Sequence, residues 1–103
     1  MFRRRRFSDL IERQLDLFER DHGDVIEEAA DKLDAYDHAE RDGATQLYGD
    51  YVDVVEEGTE ILADIRDAYA ATLPESVDEV YGREFNRAVA RRWPAFAIEI
   101  ENR

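Results

Sequence analysis

The sequence predicts an all-α fold: a long antiparallel helical hairpin, a shorter third helix in up-down-up order, and an apolar C-terminal tail. Two stretches of about thirty residues each place apolar side chains at steps of three and four, the period of a helix with a buried face. Asp42-Gly43 separates the two with too little chain for anything but a reversal. A third periodic stretch opens after Leu73-Pro74-Glu75-Ser76 and meets Pro94 well before the C-terminus. At 103 residues the chain makes one domain, read as a basic arm (1–7) followed by a helical unit (8–103).

The arm runs Phe2-Arg3-Arg4-Arg5-Arg6-Phe7. Ser8 reads as the N-cap of the first helix, with Asp9 and Glu12 placed to favour its positive end. From there Ile11, Leu15, Phe18, His22, Val25, Ala29, Leu33 and Tyr36 trace one seam. Gly23 lies beside this seam, and the helix is expected to end near Arg41, with Asp42-Gly43 as its stop.

The second stretch, Ala44–Leu73, is the centre of the fold. One row holds Leu47, Tyr51, Val54, Gly58, Ile61 and Ile65, and a second holds Tyr48, Val52, Val55, Thr59, Leu62, Tyr69 and Leu73. Together they span an arc of roughly 200°, about twice the stripe of a one-sided surface helix, so two neighbours are needed to cover it. Asp50, Asp53, Glu56, Glu57, Glu60, Asp64 and Asp67 occupy the remaining arc, with Arg66 the only base of the stretch. These acids must face water, because unpaired carboxylates are costly to bury. If Gly43 marks the turn, Gly58 faces the Ala29 region, a contact between small residues that lets two backbones approach closely.

Ser76 and Glu79 have the spacing of a capping box for the third helix, whose inner face carries Val77, Tyr81, Phe85, Ala88 and Val89. At ~1.5 Å per residue this helix is only ~27 Å long against ~45–50 Å for the other two, so it covers about half of the hairpin. Tyr48, Val52 and Val55 are then left without cover. Trp93, Phe96 and Ile100 have the size and spacing to cover them, from the same chain or from a second one, and these six residues form the candidate partner-binding surface. No second copy of the hairpin follows at the roughly 34-residue period of a tetratricopeptide array.

Twenty-six acids against fourteen bases give a net charge of −12, and all but Lys32 of the bases are arginine. That is the composition of a protein from a salty cytoplasm or from a GC-rich genome. The negative charge opposes general nucleic-acid binding, which needs a basic footprint. Nucleic acid or an anionic membrane surface enters only through Arg3, Arg4, Arg5 and Arg6. A second basic stripe, Arg83, Arg87 and Arg91, stands at i, i+4 and i+8 on the third helix, and ion pairing with the acidic hairpin accounts for it. Without cysteine there is no disulfide framework or thiol chemistry. No apolar run approaches the ~20 residues of a membrane span, and a cytoplasmic location is expected.

The five glycines are scattered rather than gathered in a phosphate loop, and neither serine has a histidine arranged to activate it. No cofactor is expected. The single metal-like pattern is Glu19-x-x-His22, with Asp64 and Asp67 roughly opposite in the hairpin; a di-iron bundle needs two such motifs and two further glutamates. The expected function is therefore protein–protein interaction or self-assembly without catalysis, with a homodimer as the first oligomer to consider. The alternatives are a carboxylate/histidine metal protein and a regulator acting through its arginine-rich arm.

Overall fold

The apolar periodicity is realised as α1 (Ser8–Asp37), α2 (Arg41–Ala70), α3 (Val77–Arg92), a 3₁₀ turn (Pro94–Phe96) and α4 (Ala97–Glu101). This computed structural model describes residues 6–103, and no strand occurs among them.

Contacts between α1 and α2 run in opposite chain order. Tyr36 meets Tyr48 beside the turn, Val25 sits against Gly58, and Phe18 and His22 share a groove with Ile61 and Ile65. The turn comes earlier than Asp42-Gly43: α1 stops at Asp37, and Glu40, in extended conformation, precedes α2. Asp42 and Gly43 lie in the first turn of α2, where the Asp42 carboxylate favours the positive helix end. His38 closes α1, with Nδ1 2.8 Å from the Asp34 carbonyl oxygen. That contact, with the Asp34 carboxylate behind it, raises the imidazole pKa. The seam of α1 is interrupted at His22, whose φ of −131° and ψ of 29° are non-helical; Gly23, the next residue, is a usual companion of such a kink.

Neither expected serine cap forms. Ser8 is already helical and makes no capping hydrogen bond. Ser76 has a left-handed φ of 77°, not the extended backbone that a capping side chain requires. The Pro74 carbonyl instead accepts from the Val77 and Asp78 amides.

α3 lies along the first half of α1. The Phe7 amide donates to Glu84 Oε1 at 3.1 Å and its ring meets Tyr81 edge-on at 5.4 Å; Tyr81 Oη donates to Gln14 Oε1 at 2.9 Å. Burial pushes the Tyr81 phenol up to about 12, which keeps it a neutral donor. At the other end of α3, Trp93 packs against Phe18, and Arg92 Nη2 reaches Asp16 (2.6 Å) and Glu19 (3.1 Å).

The tail takes a course different from the one expected. Trp93, restricted by the following proline, is extended (φ −135°, ψ 84°), and Pro94 opens the 3₁₀ turn. α4 then packs back onto α2 and α3 instead of continuing along the hairpin. Phe96 and Ile100 are fully buried, Phe96 against Gly58 and Ile100 near Arg66. The core thus joins Ile11, Leu15, Phe18 and Val25 of α1, Val55 and Leu62 of α2, Tyr81, Phe85 and Val89 of α3, and the two tail residues.

The result is elongated, 51 × 28 × 23 Å. Its radius of gyration, 15.6 Å, exceeds the ~13 Å of a compact domain of about this size. The excess length is the turn end of the hairpin, which projects past α3.

Candidate interaction surface at the hairpin turn

The turn end is built from the last three turns of α1 and the first three of α2. Steps of three and four bring Leu33 and Tyr36 to one face of α1, and Tyr48, Tyr51 and Val52 to the facing side of α2. The rings form a chain: Tyr36 to Tyr48 at 5.2 Å and Tyr48 to Tyr51 at 6.3 Å between centroids. Tyr48 is 50% exposed and Leu33 37%, whereas Tyr36, Tyr51 and Val52 are half-buried. Burial, with Tyr48 and Asp37 nearby, raises the Tyr51 pKa and favours its neutral hydroxyl. Around them the surface is acidic. Residues 24–53 contain ten Asp and Glu against Lys32 and Arg41 as the only Lys or Arg.

Of the six residues read as a partner surface, the structure brings together Tyr48 and Val52 with the buried Val55. It separates Tyr48 and Val52 from the tail, whereas Val55 shares the core with Phe96 and Ile100. Phe96 and Ile100 are in the core beside Gly58 and Arg66, and Trp93 is wedged between Phe18 (5.3 Å) and Phe96 (6.4 Å) under the Arg92 guanidinium. Within the chain, residues 93–100 thus pack against the middle of the hairpin, in one core with Val54 and Val55 of the 48–55 stretch but without Tyr48 or Val52. Gly58 decides this: the missing Cβ leaves room for the Phe96 ring, which no other position on the two rows of α2 provides.

The four metal candidates are not gathered. Glu19 accepts from Arg92, and Asp67 accepts from Arg66. His22 stacks on Phe18 at 5.6 Å and borders a groove with Asp21 and Asp64. Among the described residues no group of three or more His, Asp or Glu could hold a metal ion.

Arg83 and Arg87 line a shallow groove with Asn86 and Glu101, while Arg91 lines another with Ser8, Glu12 and Glu84. Of the arm, Arg3, Arg4 and Arg5 lie outside the described residues; Arg6 places its guanidinium 5.6 Å from the Phe7 ring centre.

One residue that the charge pattern hid is Arg66. It is only 7% exposed, and its guanidinium donates to Asp67 Oδ1 (2.8 Å), Asn86 Oδ1 (3.0 Å) and the Ile100 carbonyl (3.0 Å), tying α2 to α3 and α4. Its position was available to be read, since it falls between Leu62 and Tyr69 at the steps of the second apolar row. Arg66→Met roughly keeps the volume but leaves two of the three acceptors, Asn86 Oδ1 and the Ile100 carbonyl, without their donor, while water can serve the exposed Asp67. At about 1–3 kcal/mol each, a loss of about 2–6 kcal/mol is expected. Urea titration of variant and parent checks this, and coincident curves would show that the guanidinium is dispensable.

Comparison of the chain with protein-family models, with curated proteins and with solved structures finds no match. Its function is therefore argued from the geometry of this surface. Among the described residues no helix is long and apolar enough to cross a membrane.

Proposed function

We propose that this up-down-up helical domain is a non-catalytic, cytoplasmic protein–protein interaction module, self-assembly included, which docks through the turn end of its hairpin. The observation that carries the reading is the tyrosine cluster at an end that α3 does not cover, with Tyr48 half exposed at its centre. Apolar ring surface left in water favours association, and clustered exposed apolar side chains mark interaction sites. Tyrosine suits the role, since it contributes large area at low entropic cost and is enriched among residues that dominate binding energy. The surrounding carboxylates confer solubility on the free chain and select a partner of opposite charge.

Sedimentation tests the reading. The parent is expected to run heavier than one 12.0 kDa chain, and Tyr48→Asp to return it to a single chain. Because Tyr48 lies outside the core, the helicity of the variant should match the parent's, and its melting midpoint should fall only by the stabilisation that association gave the parent. A heavy parent whose mass is unchanged by Tyr48→Asp would remove the docking role from this end.

A further inference from the structure

We infer that the turn end of the hairpin receives the Arg3–Arg6 arm of a second copy of this chain, in an antiparallel side-by-side pair. The inference rests on the reading of that end as a docking surface and names what occupies it.

Charge complementarity is the first argument. The arm places four consecutive arginines between two phenylalanines, while residues 24–53 hold ten carboxylates against two bases. A guanidinium pairs with carboxylates through its planar fork and also stacks on aromatic faces, and the turn end offers both: the Asp37 carboxylate acts on Tyr51, whose ring neighbours the half-exposed Tyr48. Arginines of this chain already stack in this way. The guanidinium of Arg6 lies 5.6 Å from the Phe7 ring centre, and that of Arg92 lies 5.0 Å from the Trp93 ring centre.

Reach is the second argument, and it requires a second copy. Phe7 is held at the far end of α1 by Glu84 and Tyr81. The turn lies at the other end of a 30-residue helix, ~45 Å away at ~1.5 Å per residue. Four residues upstream of Phe7 extend at most ~14 Å, so the arm cannot reach its own turn.

Geometry then selects the arrangement. Phe7, which the arm precedes in the chain, and the complementary surface at the turn sit at opposite ends of α1, in a body 51 Å long. Two copies laid side by side in opposite directions place each arm on the other's turn, use both contacts, and close as a two-fold pair. A head-to-tail arrangement leaves one arm and one turn unfilled at every stage of growth. Nucleic acid is the less favourable occupant of the arm, because the remainder of the chain repels phosphate.

Light scattering and sedimentation on the full chain decide the matter, using the parent, an arm variant (Arg3→Glu, Arg4→Glu, Arg5→Glu, Arg6→Glu) and a turn variant (Asp34→Lys, Asp37→Lys). The parent is expected to have the mass of two chains in about 0.1 M potassium chloride, weakening at least about tenfold by about 1 M as the Debye length falls from about 10 Å to about 3 Å. Each variant alone should have the mass of one chain, with helicity by circular dichroism equal to the parent's. Mixed together they should form a heterodimer, because both arm–turn contacts again join opposite charges. Failure of the mixture to pair overturns the inference. So does a parent that sediments as one chain in about 0.1 M salt, including one whose arm instead binds a DNA duplex. If the arm variant stays paired while Tyr48→Asp comes apart, the turn end remains a docking surface and the arm is not its occupant.

Discussion

Removal of residues 94–103 is expected to unfold most of the chain. Those ten residues include Phe96 and Ile100, both fully buried, and the carbonyl that receives one hydrogen bond from Arg66. Truncating a buried aromatic costs about 3–5 kcal/mol and a buried isoleucine about 2–5 kcal/mol, because the cavity adds to the lost transfer energy. Together they approach the ~5–15 kcal/mol that holds an ordinary domain folded. The loss also uncovers Gly58, Val25 and the buried guanidinium, so a partly folded remnant would expose apolar surface and aggregate. Circular dichroism and a thermal melt of the truncated chain check this. A truncated protein with the parent's helicity and midpoint would mean that the tail is not part of the core. Phe96→Ala is the milder version, with an expected loss of about 3–5 kcal/mol.

Gly58→Leu should be nearly as damaging. A Cβ at this position would lie 2.9 Å from two atoms of the Phe96 ring and 3.1 Å from Val25 Cγ1, closer than side-chain carbons normally approach. Both neighbours are themselves in the core. For Gly58→Ala the clash, about 1–3 kcal/mol, is offset by about 1 kcal/mol of helix propensity, which leaves a loss of at most about 2 kcal/mol. Leucine adds three more carbons with nowhere to go, and a loss of about 3 kcal/mol or more is expected. Combining Gly58→Ala with Phe96→Leu tests the cause. If the ring is what the methyl meets, the double variant should be more stable than the sum of the single losses predicts. Additive losses would locate the strain elsewhere.

These two variants probe the same feature from opposite sides. The glycine gap in α2 and the ring that fills it turn a two-helix surface into a four-element core. That core covers the middle of the hairpin, and the turn end remains free for the tyrosine cluster and its carboxylates.

Much of this was legible in the chain. The step-of-three-and-four rows predict α1, α2 and α3, the double row of α2 announces two neighbours, and Pro94 marks the end of α3. Such features are readable because they depend on residues within one or two helical turns of each other. The turn was misplaced because Asp42-Gly43 suits a helix stop and a first helical turn equally well; which it becomes depends on where α1 packs. Ser8 and Ser76 carry capping side chains, but a cap needs a backbone conformation that the neighbouring turn decides. Arg66 reads by its charge as the lone base among the acids of α2, whereas its place in the second apolar row points inward.

The course of the tail was the property that only tertiary structure could decide. The Trp93-Pro94 dipeptide predicts an extended residue and a helix end, but not the direction in which the chain leaves. That direction follows from a vacancy at Gly58, thirty-eight positions before Phe96, and from a donor at Arg66, 34 residues before the carbonyl that it holds. By itself the sequence determined the helices and the rows of side chains they would present. Which row is buried, which is bridged and which is left exposed depends on contacts between residues far apart in the chain, and no local period encodes those.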